Sequence, residues 1–167
     1  MLQVRRILWA ALYGASFLYI VVLFLAKPEV TAPPDPSLPF ILAAVAFGSI
    51  LVAFILPPRL AAQAFASIAF ATTEAASFSD LPAGTKSFAD PAAARTRAAG
   101  VLQTTFILRM AMFESVALYG LVLGFLGHPI AAWAGYFGVA WILMATQFPT
   151  QAKDDAALTK ATGIVFR

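Results

Sequence analysis

Cysteine is absent from the 167 residues, and histidine occurs once. The first absence excludes disulfides, thiolate metal sites and thiol catalysis. The second leaves nothing from which to build a catalytic triad or a multi-histidine metal site. The single His128 stands in a Gly-His-Pro segment, where a turn or interface role is expected. Charge is scarce as well: 11% of the residues are charged, against about 25% in soluble domains. With 61% hydrophobic residues the composition is that of a membrane protein. The net charge of +3 carries no nucleic-acid footprint, so no nucleic-acid partner is expected. Its meaning lies in where the Lys and Arg residues fall.

What is present is long apolar runs. A membrane helix needs about 20 mostly apolar residues, and four segments qualify: 7–26, 39–56, 101–126 and 130–148. Arg5 and Arg6 precede the first segment as they would in a signal peptide. Its apolar run exceeds the roughly 7 to 15 residues of a signal core. The following "AKPEVTAPPDP" offers no clean small-residue cleavage site, so an uncleaved span is expected.

Charge placement then orients the chain. Threading four spans puts Arg5, Arg6, Arg59, Lys86, Arg95, Arg97, Lys153, Lys160 and Arg167 on one side. The other side receives only Lys27 among the basic residues, beside Glu29 and Asp35. The positive-inside rule therefore predicts both termini in the cytoplasm. The expected fold is an all-α, four-span integral membrane bundle, a single domain in the lipid bilayer of a cell membrane. A bacterial inner membrane is the expected location.

The links differ in kind. "KPEVTAPPDPSLP" is a stiff, proline-rich extracytoplasmic connection. "GHP" joins spans three and four as a tight hairpin. The cytoplasmic loop 57–100 is long; Pro57 and Pro58 ahead of an Ala-rich stretch predict an interfacial helix. "SDLPAGTKSFADP" reads as turns, and "PAAARTRAAG" as the start of the helix that becomes span three. In the tail "TQAKDDAALTKATGIVFR", a short surface helix is expected, with Lys153, Asp154 and Asp155 on a solvated face. Trp133, Tyr136 and Trp141 are expected as lipid-facing or interfacial anchors, Trp141 as packing if it lies too deep, and Gly135 and Gly138 as packing notches.

Span three holds two ionisable residues, Arg109 and Glu114. Such residues are costly in a membrane and face a protein interior or a water path. They lie five residues apart, about 140° around the helix, and so are not a same-face pair. Arg109 has a stem long enough to snorkel toward the cytoplasmic headgroups, which gives it an electrostatic role. Glu114 is short and near mid-span. Lipid disfavours its charged form, so it is expected protonated or bound to a cation, or as an interhelical hydrogen bond. Ser115 and Tyr119 add hydroxyl oxygens of the kind hard cations take. Gly120 and Gly124 form a GxxxG pair that lets another helix approach closely.

"TTFILRMAMFESVALYGLVLGF", residues 104–125, resembles the carboxylate helix of the c subunit of rotary F-type ATP synthases. The likeness lies in the aliphatic and aromatic lead-in, the mid-membrane acid and the "YGLV" that follows. It implies that Glu114 binds a proton or sodium ion, with Ser115 and Tyr119 as ligands or hydrogen-bond partners. It also implies other membrane subunits, or further copies of the chain, as partners. No cofactor beyond H+ or Na+ is implied, and no catalytic activity of the chain's own. The competing expectation is a non-enzymatic structural or assembly subunit, with Glu114 as a buried interhelical bond. A membrane-embedded enzyme is the least supported class, because no cluster of carboxylates exists.

Overall fold

The computed structural model describes residues 2–26, 33–70, 72–74 and 85–165. Five helices lie among the described residues: α1 (Leu2–Ala26), α2 (Leu38–Ala66), α3 (Pro91–Phe125), α4 (Ile130–Thr146) and α5 (Gln151–Thr162). A small antiparallel hairpin separates α2 from α3, with β1 (Thr72–Glu74) paired to β2 (Lys86–Phe88) so that Thr73 faces Ser87. The fold is otherwise all-helical. Three helices (α1, α2 and α3) are long and apolar enough to cross a membrane. There are four if α4 and α5, which meet at a 79° bend, are one span. Several long apolar helices of this kind are the signature of a multi-pass membrane protein.

The helix ends follow local chemistry. Asp90 caps α3 by accepting from the backbone N–H groups of Ala92 and Ala93, and Pro91 occupies the first turn, where its missing N–H costs nothing. At the other end Gly127 sits at φ +78°, with its N–H on Gly124 O and the N–H of His128 on Leu123 O. That pair of bonds is a Schellman closure, and it turns the chain sharply into α4. Before α2, Asp35 accepts from the backbone N–H and the hydroxyl of Ser37, which hold its carboxyl below the usual carboxylate range.

α3 is the axis of the bundle. It packs against α1, α2 and α4. Its Met110, Phe113, Ala117 and Gly120 recur at helical spacing and are all buried, as are Val116 and Leu123. In its most apolar stretch a third of the residues are buried, against 11% in α1 and in α2. The outer helices instead turn residues such as Leu18, Phe24, Phe40 and Phe47 outward, as lipid contact requires. A Cβ on Gly120 would stand 3.0 Å from the Trp133 carbonyl of α4. One on Gly124 would fall 2.7 Å from the Leu23 side chain of α1. The two small positions thus admit two different neighbours.

Several expectations meet a different arrangement. α2 does not stop at the prolines; it runs through Pro57 and Pro58 to Ala66. The helical residues at the start of the long loop therefore continue span two. Proline at 57 has no N–H to return to the Ala53 carbonyl, and that oxygen instead accepts from Arg109 Nε at 3.3 Å. Trp133 is buried rather than lipid-facing. Tyr136 donates to Pro39 O on α2 at 2.6 Å, and Trp141 donates to the buried Ser16 of α1 at 2.8 Å. A Cβ on Gly135 or Gly138 would meet nothing within 4 Å, so neither is a packing notch. The expected turns at 79–84, and most of the proline-rich link (27–32), lie outside the described residues.

A second, smaller core caps the basic end of the bundle. Phe65 of α2, Phe88 of β2, Ala94, Ala98 and Leu102 of α3 and Leu158 of α5 pack together there. Val165 extends the hairpin by donating to Lys86 O and accepting from Phe88 N. At 1.5 Å per residue α2 and α3 are about 43 and 52 Å long, beyond the roughly 30 Å of a hydrocarbon core. The excess length forms this cap.

Candidate functional site

Glu114 lies on the side of α3 that meets α1. Its Oε1 accepts a hydrogen bond from the Tyr19 hydroxyl at 2.7 Å. Tyr19 is a half-buried phenol in an apolar helix, where its hydroxyl needs an acceptor. The carboxylate has no basic partner among the described residues.

The other residues expected to join it have different partners. The Ser115 hydroxyl donates to Met112 O of its own helix at 2.7 Å. The Tyr119 hydroxyl stands 3.4 Å from Ser49 Oγ of α2. Among the described residues no hydrogen bond joins Glu114 directly to Ser115 or Tyr119. Span three thus carries two polar seams, Tyr19–Glu114 toward α1 and Ser49–Tyr119 toward α2. No group of three or more His, Cys, Asp or Glu able to hold a metal ion occurs among the described residues.

Arg109 does not reach free into the headgroups. It is half-buried between helices, with Nε on Ala53 O of α2 and Nη1 on Gln147 Oε1 at the end of α4, 3.0 Å away. The guanidinium fork satisfies one carbonyl stranded by a proline and one amide oxygen on a helix cap.

The sequence reading missed Tyr19, Ser49 and Gln147. The available signal was weak: each is a lone polar residue in or beside an apolar run, and such a group must find a partner inside the bundle. It also took Asp154 and Asp155 for a solvated face. Asp154 pairs with both terminal nitrogens of Arg5 on α1, Nη1 at 2.7 Å. Asp155 makes a two-pronged pair with Arg95 on α3, both contacts at 2.8 Å. His128 is buried in the turn between α3 and α4, and its Nε2 has no partner among the described residues.

No protein-family model, no curated protein and no solved structure matches this chain.

Proposed function

We propose that this chain is a four-span integral membrane subunit, termini in the cytoplasm, whose Glu114 binds and exchanges a proton at the seam of α1 and α3. The observation that carries the reading is the 2.7 Å bond from the Tyr19 hydroxyl to Glu114 Oε1. One donor on one carboxylate oxygen leaves the second oxygen for a proton. A sodium ion would require several oxygens to converge, whereas the Ser115 and Tyr119 hydroxyls are engaged elsewhere. The local likeness to the c subunit of rotary ATP synthases supports the same chemistry. A neighbouring membrane subunit or a second copy, in a bacterial inner membrane, would relay the proton.

A second reading is favoured by the covering helix. Because α1 lies over Glu114, the Tyr19 bond also fits a fixed interhelical lock in a structural subunit. Carbodiimide labelling in native membranes, mapped by mass spectrometry, separates the two. Proton exchange predicts labelling at Glu114 that falls as pH rises, rises in Tyr19→Phe and vanishes in Glu114→Gln. Protection by sodium would replace the proton with that ion. A folded protein left unlabelled at every pH would leave the lock as the reading.

A further inference from the structure

At the basic end, away from Glu114, α1, α2, α3 and α5 line an open-sided cavity of about 380 Å3. Four basic side chains line it: Arg5, Arg109, Lys153 and Lys160. Among the described residues the only acidic one is Asp154, so their lining carries three positive charges in excess. Pro57, Pro58, Ala61 and Phe106 form an apolar wall. We infer that this cavity binds the phosphate-bearing headgroup of an anionic membrane lipid, with the first carbons of its tail along the proline wall.

Hydrogen-bond accounting supports an anion. Arg5 is committed to Asp154 through both terminal nitrogens. Arg109 uses Nε and Nη1, which leaves its Nη2 amino group without a partner among the described residues. Lys153 Nζ donates to Thr146 O and Phe148 O, which leaves its third N–H. Lys160 is exposed, and its ammonium makes no hydrogen bond among the described residues. Three spare cationic donors on two elements thus meet in one hollow, and charge-assisted bonds to phosphate oxygens are the strong kind.

Depth favours a lipid over a free phosphate. Lys153 and Lys160 sit on α5, a polar helix outside the long apolar runs. Arg109 sits on α3 about two turns inside its apolar run 101–126. A ligand that meets both levels has a charged head and an apolar body. Basic pockets between membrane helices on the positive side commonly hold such headgroups.

Native mass spectrometry of the detergent-released protein tests this, with phosphatidylglycerol, phosphatidylcholine or inorganic phosphate added. Phosphatidylglycerol adducts should persist where phosphatidylcholine adducts do not. Lys160→Gln should weaken phosphatidylglycerol binding by about fivefold, the worth of one basic residue near an anionic surface. Arg59→Gln removes the same charge from a residue that does not line the cavity, and should leave binding unchanged. Equal retention of the two lipids would overturn the proposal, as would an equal loss in both variants. Displacement of the lipid by inorganic phosphate at comparable concentration would reassign the cavity to a soluble phosphate and overturn the lipid.

Discussion

Arg109 shows how one residue holds a helix that its sequence would break. Proline in a helix interior costs on the order of 3 kcal/mol, partly because the carbonyl four residues back loses its donor. Here that carbonyl is Ala53 O, and the Arg109 Nε replaces the missing N–H. Arg109→Met would leave Ala53 O and Gln147 Oε1 without their donor and should cost about 1 to 3 kcal/mol. Arg109→Lys keeps the charge but not the planar fork, so it should fall between. Thermal unfolding by circular dichroism, in zwitterionic detergent without anionic lipid, should rank wild type above Lys above Met. A Met variant that melts with wild type would show that Ala53 O finds another donor. The sequence marked Arg109 and Glu114 as residues needing explanation. It did not supply their partners, because Tyr19, Ala53 and Gln147 come from three other helices and no local pattern links them.

The same limit appears in whole elements. The apolar runs located α1, α2 and α3 and placed one end of each, near residues 26, 39 and 126, within one residue, since lipid burial depends on composition and length; α2 instead runs on from the expected 56 to Ala66. The start of α3 was legible, since "PAAARTRAAG" reads as a helix start and the helix begins at Pro91. Two features were not. α2 passes through its prolines with a distant arginine on the carbonyl that Pro57 leaves without a donor, and α5 carries acids whose partners lie 149 and 60 residues away. Those two pairs differ in burial. The side chains of Arg5 and Asp154 are 7% and 15% exposed, those of Arg95 and Asp155 35% and 22%. Removing one partner of a buried pair leaves an uncompensated charge, at a cost of about 3 kcal/mol or more. An exposed pair contributes about 1 kcal/mol or less. Asp154→Asn should therefore speed amide hydrogen exchange throughout α5 far more than Asp155→Asn. Equal acceleration in the two variants would mean that burial does not set the strength of the attachment.

At the scale of the whole molecule, the two ion pairs bear on how many times the chain crosses the bilayer. Arg5 stands at the start of α1 and Arg95 at the start of α3. Both reach α5, which follows α4. The chain therefore returns to its starting end after α4, as the proposed four crossings require. α4 alone is short, 17 residues or about 25 Å, so the proposed fourth crossing has to draw on the residues before its bend into α5. A protein without cysteine lets this be read one site at a time. Ser37 and Ala131 are exposed at the starts of α2 and α4, and Gln151 is exposed at the start of α5. In intact cells an impermeant maleimide should label Ser37→Cys and Ala131→Cys, and should reach Gln151→Cys only after permeabilisation. Three crossings would instead put Gln151 on the same face as Ser37, labelled without permeabilisation, and Arg5 could then not meet Asp154 across the bilayer. Protection of Ser37→Cys together with ready labelling of Gln151→Cys would keep the four crossings and invert them, placing the basic end, and its cavity, outside the cell.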